Sequence, residues 1–290
     1  MKKYIWLLCT LLLLCGCNNS ENSEHVDIQN INEFDFEDSS VFDFDVHSQE
    51  YVLIRLSDFK VLNSLDTSKI IYPASLTKIM TLNIVLHKVN NLQDTSYITR
   101  EQILDLIYQE SSLAGLKADY PYTMEELLYA LILPSGGDGA IAISNYFTDH
   151  NMDIMEEIAK QLKVLGCNNT NFVNPIGLHD DKHYTTIDDL LKIIMDTLSF
   201  EKGRQVLQTL YYRMSDESFM RSSLSVLQKS NYSILGGKTG YTPESGQSVM
   251  VLFRHNNRSY LLMVCNAMGQ PRYDQFYHYE DALEIMEHLY

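Results

Sequence analysis

Strand-like runs stand near both ends of the patterned part of this chain, and helical spacing fills most of what lies between them. That arrangement leaves few folds open, because terminal strands find their hydrogen-bond partners most simply in each other. Residues 51–56, Tyr-Val-Leu-Ile-Arg-Leu, form an apolar, β-branched run; Ser57-Asp58 is turn chemistry and Val61-Leu62 returns, so a hairpin is expected. After Ile234, runs at 248–254 and 260–266 are joined by the polar stretch 255–258, a second hairpin. Between these ends the pattern predicts a helix opening near Ser75 and another starting at Thr123, where Glu126 completes a capping box. A third carries Met155, Ile158, Leu162 and Leu165 at helical spacing before Gly166, and a fourth spans about 187–198. Residues 280–289 close the pattern as an amphipathic helix. One α+β domain over 51–290, its terminal strands sharing a sheet, is the expectation.

Two segments precede that domain. Residues 1–17 read as an export signal: Lys2 and Lys3, then an apolar run from Tyr4 to Leu14 too short for a comfortable permanent span. The run ends Leu14-Cys15-Gly16-Cys17, and a small residue before Cys resembles the lipobox of bacterial lipoproteins, which implies lipidation of Cys17 and attachment to the membrane. A plain secretory signal with an incidental Cys is the other reading. Residues 18–50 are rich in Asn, Ser, Asp and Glu, and hold about ten acidic residues between positions 21 and 50 with no Lys or Arg. Such a self-repelling segment reads as a flexible tether, although Phe34, Phe36, Phe42 and Phe44 also suit a docking strip or edge strand. The formal net charge of −16 argues against nucleic acid as a partner, since a phosphate backbone needs a basic face.

With Cys9, Cys15 and Cys17 assigned to the signal and its processing, Cys167 and Cys265 remain. They are either bridged outside the cell or two buried free thiols.

The chemistry-bearing residues fall in three places. Ser75 and Lys78, in Pro73-Ala74-Ser75-Leu76-Thr77-Lys78, lie three residues apart, so a helix sets hydroxyl and amine one turn apart on one face. Pro73 is a helix-entry signal that puts Ser75 at the positive end of the dipole. The run Ile79, Met80, Leu82, Ile84, Val85, Leu86 is apolar nearly all round, which predicts a buried helix and a Lys78 neutral enough to act as a base. Further on stand Pro134-Ser135-Gly136-Gly137-Asp138 and Gly237-Lys238-Thr239-Gly240-Tyr241-Thr242. Ser-x-x-Lys followed by a second serine motif and Lys-Thr-Gly is the order found in penicillin-binding proteins and class A β-lactamases.

The longer stretches resemble the serine-type D-alanyl-D-alanine carboxypeptidases, the low-molecular-mass penicillin-binding proteins. Residues 73–81, 122–140 and 238–242 carry the likeness, as does Asn171-Phe172-Val173-Asn174-Pro175-Ile176-Gly177-Leu178 with His183-Tyr184-Thr185-Thr186. The resemblance implies a β-lactamase/transpeptidase-like fold: an antiparallel sheet flanked by helices beside a mostly helical lobe, with the motifs in the cleft between. It implies Ser75 as nucleophile, Lys78 as general base and Ser135 as proton relay. Lys238, Thr239 and Gly240 would bind substrate, with positive Lys238 helping to keep Lys78 neutral, and the backbone N–H groups of Ser75 and Tyr241 would form the oxyanion hole. The substrate would be a peptidoglycan stem peptide ending in D-Ala-D-Ala, β-lactams would be covalent inhibitors, and neither metal nor cofactor would be needed. His179-Asp180-Asp181-Lys182-His183 has the residue types of a metal site, but following Gly177 in a loop it reads as a solvated loop and not as a metal site.

One position departs from the family. Its second motif usually ends in Asn, and Gly137 stands here, so Asp138 or a water would have to substitute, or catalysis is attenuated. A penicillin-binding or peptidoglycan-sensing lipoprotein of the same fold is therefore the alternative. A β-lactamase is disfavoured because residues 170–175 contain no acid. About fifty residues follow Lys238, too few for the further β-rich domain and C-terminal membrane helix that family members often carry; the lipid at Cys17 would replace that anchor.

Overall fold

The computed structural model describes residues 45–229, 232–269 and 274–289, so the export signal, Cys17 and most of the acidic segment lie outside the described residues. In chain order the strands are β1 (Glu50–Arg55), β2 (Lys60–Leu65), β3 (Thr95–Ser96), β4 (Tyr122–Thr123), β5 (Tyr211–Arg213), β6 (Phe219–Arg221), β7 (Ser233–Thr242), β8 (Gly246–His255) and β9 (Arg258–Ala267). The helices are α1 (Lys78–Lys88), α2 (Arg100–Tyr108), α3 (Met124–Ile132), α4 (Gly137–Asp149), α5 (Ile154–Val164), α6 (Ile187–Ser199), α7 (Glu201–Leu207) and α8 (Tyr277–Glu287).

The five long strands make one antiparallel sheet in the order β2-β1-β9-β8-β7, so the first strand lies beside the last, as the sequence pattern predicts. β8 is buried through eight consecutive residues because both faces of the sheet are covered. The two-residue alternation sorts its side chains. Met250 and Leu252 point into the larger core with Ile54, Leu261 and Met263, shared with the helical lobe, while Val249, Val251 and Phe253 join Ile285 and Met286 of α8 on the opposite face. Each of these fully buried side chains contributes about 1.5–3 kcal/mol by leaving water.

α1 runs through the middle of the helical lobe, buried from Lys78 to Val85, which is why its sequence is apolar on all sides. Side-chain caps start the surrounding helices: Thr123 and Glu126 form a capping box on α3, Thr99 and Gln102 another on α2, Asp153 caps α5 and Thr186 caps α6.

The entry to the domain is fastened to α8. The buried Asp281 carboxylate accepts from the His47 amide at 2.9 Å and the Ser48 amide at 2.7 Å, and also from the Ser48 hydroxyl. The His47 ring sits 2.9 Å from the same carboxylate and stacks on Tyr277. Cys167 and Cys265 are both free and buried, so the bridge the sequence left open is not formed. Cys265 lies within β9, where burial pushes its thiol up to about 12, and Cys167 follows α5 with its sulfur against the Asp189 carbonyl.

Candidate active site

The nucleophile candidate sits on a tight turn. Pro73 leads into a 3-10 segment, Ala74–Thr77, which continues into α1. The sequence reading expects Ser75 in an α-helix; the tighter 3-10 geometry found instead nearly eclipses residues i and i+3, and Ser75 Oγ lies 3.0 Å from Lys78 Nζ. Ala74 is left-handed at φ 46°, a conformation that costs a non-glycine residue about 1–3 kcal/mol and persists only where its surroundings enforce it.

The surroundings do enforce it. On one side Gly177, at φ 89°, comes so close that a Cβ there would lie 1.9 Å from the Ala74 carbonyl oxygen. On the other, a Cβ on Gly240 of β7 would lie 2.9 Å from the Pro73 oxygen, so Lys-Thr-Gly needs its glycine for strand-to-turn packing. From below, the Thr77 hydroxyl donates to the Ala74 carbonyl at 2.8 Å. His183 adds a further link: its Nδ1 accepts from the Val173 amide at 3.1 Å, so Nε2 carries the proton and donates to Thr77 Oγ1 at 2.8 Å. Burial lowers His183 to about 4, and both its ring nitrogens are occupied. The solvated-loop reading therefore fails for His183, and its ring offers no free nitrogen to a metal.

Lys78 is fully buried. Its Nζ donates to the Ile176 carbonyl at 2.7 Å and contacts Ser75 at 3.0 Å. Burial lowers its pKa to about 7 against an opposing pull from Asp138, so near neutrality much of it is an uncharged amine whose lone pair can accept the Ser75 proton. Asn174 shapes the loop that supplies the Ile176 carbonyl. Its Oδ1 accepts from the amides of Ile176, Gly177 and Leu178 at 3.1, 2.7 and 3.1 Å, and its Nδ2 donates to the Leu178 carbonyl at 2.9 Å. Thr81 of α1 donates to the Pro175 carbonyl at 2.7 Å, tying that loop to the nucleophile helix.

Ser135 is also left-handed, at φ 65°, just before α4. Its hydroxyl receives a 2.7 Å hydrogen bond from Lys238, whose amine also donates to the Thr239 carbonyl at 2.6 Å. Burial first, and the charge of Lys78 second, hold Lys238 well below the ordinary lysine range. Repulsion between the two buried amines is mutual, so a proton on either one disfavours a proton on the other. The Thr239 hydroxyl lies 2.8 Å from that of Ser223.

Ser75, Lys78 and Tyr241 line a cleft of about 570 Å³, with residues 109–112 and 176–179 as walls and 241–244 as a lip. Asp138 does not substitute for the missing amide. Its buried carboxylate accepts from the amides of Ala114, Gly115, Leu116 and Gly139 at 2.8–3.0 Å, so it is spent on holding the 114–116 segment. Sequence reasoning passed over Asn174, Ile176, Thr77 and Ser223 as parts of the site. Only Asn174, ahead of Pro and Gly in a turn-rich stretch, carried a readable signal.

A profile of the D-alanyl-D-alanine carboxypeptidases matches residues 37–269. Among characterised proteins, D-alanyl-D-alanine carboxypeptidase DacF of Bacillus subtilis is 26% identical over 223 residues, 74% of this chain and 56% of the relative. D-alanyl-D-alanine carboxypeptidase DacA of Haemophilus influenzae is 26% identical over 240 residues, 79% of this chain and 58% of the relative. The chain thus spans a little over half the length of these relatives. The crystal structure of the Streptomyces K15 DD-transpeptidase superposes with a TM-score of 0.75 at 22% identity, covering 85% of this chain and 98% of that one, which establishes the same fold.

Proposed function

Because the chain belongs to the D-alanyl-D-alanine carboxypeptidase family, we propose that it removes the terminal D-alanine from peptidoglycan stem peptides through an acyl-enzyme on Ser75. The observation that carries this reading is the 3.0 Å contact between Ser75 Oγ and a buried Lys78 whose pKa is lowered to about 7.

In the proposed reaction Lys78 takes the Ser75 proton as Oγ attacks the carbonyl of the penultimate D-alanine. The backbone N–H groups of Ser75 and Tyr241 hold the resulting oxyanion, and such a donor typically contributes a factor of about 10² to 10³ in rate. Collapse breaks the C–N bond, and the leaving amine receives its proton by way of Ser135. Water then hydrolyses the Ser75 ester and frees the enzyme. Lys238, Thr239 and Gly240 form the end of the site that takes the terminal carboxylate. Its negative charge would raise the depressed pKa of Lys238 and favour the protonated amine.

The same reading puts the enzyme outside the cytoplasm, where its polymer substrate lies, with lipid on Cys17 as the membrane attachment and the acidic segment after it as the tether; His47, Ser48 and Glu50, which the sequence reading gave to that tether, belong to the folded domain. Support for the anchor is the Leu-Cys-Gly-Cys sequence; no helix among the described residues is long and apolar enough to cross a membrane.

The deciding experiment measures D-alanine released from an acyl-Lys-D-Ala-D-Ala peptide, with Ser75→Ala as blank, alongside intact mass after penicillin. Release together with a single Ser75 adduct is expected. An unmodified mass at saturating penicillin and no release would defeat the proposal.

A further inference from the structure

Gly137 leaves the second motif without a side chain at its last position, and the structure shows what occupies that space. Gly137 is the first residue of α4, and a Cβ built on it would lie 2.3 Å from Ser111 Oγ, with the next contacts at 3.2 and 3.4 Å. The Ser111 hydroxyl therefore sits where the first atom of a residue-137 side chain would be. We propose that Ser111 replaces that missing side chain as the polar group orienting a backbone amide of the bound peptide.

Three observations support the assignment. Ser111 lines the same cleft as Ser75 and Lys78, the space a substrate would enter. That hydroxyl is barely used within the protein: its donation to the Ser112 carbonyl is long, 3.4 Å, so its single O–H is weakly held and can turn to a ligand, and its two lone pairs can accept. Finally, the segment bearing it is fixed to the very turn that lacks the side chain. The Gly137 amide donates to the Ser112 carbonyl at 2.7 Å, and the Asp138 carboxylate collects the amides of the next residues, Ala114, Gly115 and Leu116. Asp138, unable to serve the substrate directly, serves it by holding Ser111 in register with α4. An Asn amide offers two donors and a carbonyl, whereas a hydroxyl offers a single donor, so the substitution preserves one orienting contact to a peptide carbonyl or N–H.

The inference rests on the proposed acyl transfer at Ser75, and the test separates the two. Wild type, Ser111→Ala, Gly137→Asn and the double variant are compared for penicillin acylation of Ser75 and for kcat and KM of D-alanine release, with melting temperatures recorded for each. Loss of one orienting hydrogen bond predicts that Ser111→Ala weakens kcat/KM about tenfold, mainly through KM, without lowering the melting temperature. Gly137→Asn alone gains nothing, because its side chain meets the hydroxyl. In the double variant the vacated space admits the amide and activity returns toward wild type, a non-additivity that a merely structural serine does not produce. If wild type forms no adduct, the Ser75 chemistry fails and this inference with it. If wild type is acylated but Ser111→Ala matches it in KM, or Gly137→Asn alone raises activity, the assignment of Ser111 is wrong while the chemistry stands.

Discussion

Replacing Lys78 by Met is expected to stabilise the protein while removing acylation, and the size of the gain follows from the burial of the amine. A lysine lowered from 10.5 to about 7 makes the folded state less favourable by about 5 kcal/mol below pH 7, at roughly 1.4 kcal/mol for each tenfold. The sign is that of a depressed cation: the unfolded chain binds the proton more tightly, so the cost is complete below pH 7 and vanishes above 10.5. Met fills nearly the same volume and needs no charge, but it abandons the Ile176 carbonyl, and an orphaned buried acceptor costs about 1–3 kcal/mol. The net expectation is a gain of about 2–4 kcal/mol at pH 6.5, shrinking to nothing near pH 9 where the two effects balance. Urea unfolding of wild type and Lys78→Met at pH 6.5, 8 and 9.5 reads both magnitude and slope. A variant less stable than wild type at pH 6.5, or a difference flat with pH, would refute the claim that this amine is held in the site against its own hydration.

The same pKa predicts that penicillin acylation of Ser75 falls about tenfold per pH unit below 7 and levels off above it, measured as adduct formation by mass; a rate indifferent to pH from 5 to 8 would exclude Lys78 as the base. Gly177→Ala places a Cβ 1.9 Å from the Ala74 oxygen at a left-handed residue and is expected to slow acylation by roughly a hundredfold or more while far-UV circular dichroism stays native; near-normal acylation counts against the clamped turn. Asn174→Ala removes an oxygen that accepts from three amides and should cost about 2–3 kcal/mol in chemical denaturation, whereas Asn174→Asp keeps that oxygen and loses less; equal damage from both would show that Oδ1 is not the organiser.

Much of the frame could be read from residue order. The two hairpins, the Thr123–Glu126 capping box and the buried character of α1 each follow from spacing or local chemistry that the fold does not override. The Ser75–Lys78 pair was legible because one turn of either helix type brings them together. What escaped notice depends on backbone atoms and on contacts between distant segments. Nothing in the letter Ile176 announces that its carbonyl receives the Lys78 amine, and no side-chain chemistry predicts left-handed Ala74 or Ser135. Gly137 looked like a loss because the segment that fills its place comes from a different part of the chain. The α2 helix had a written signal, Thr99 with Gln102 three residues on, that the reading passed over.

The neighbourhood of β1 and β9 governs when this protein can finish folding. Glu50–Arg55 waits for residues 260–265, more than two hundred positions later, and the pairing of Ser135 with Lys238 likewise joins early and late segments. A ribosome delivers the β1–β2 hairpin long before the strand that covers its open edge, and contacts of such long range form slowly. Throughout that interval the edge can pair with another chain, so keeping the polypeptide extended and chaperoned until residue 267 has been synthesised protects it from aggregation.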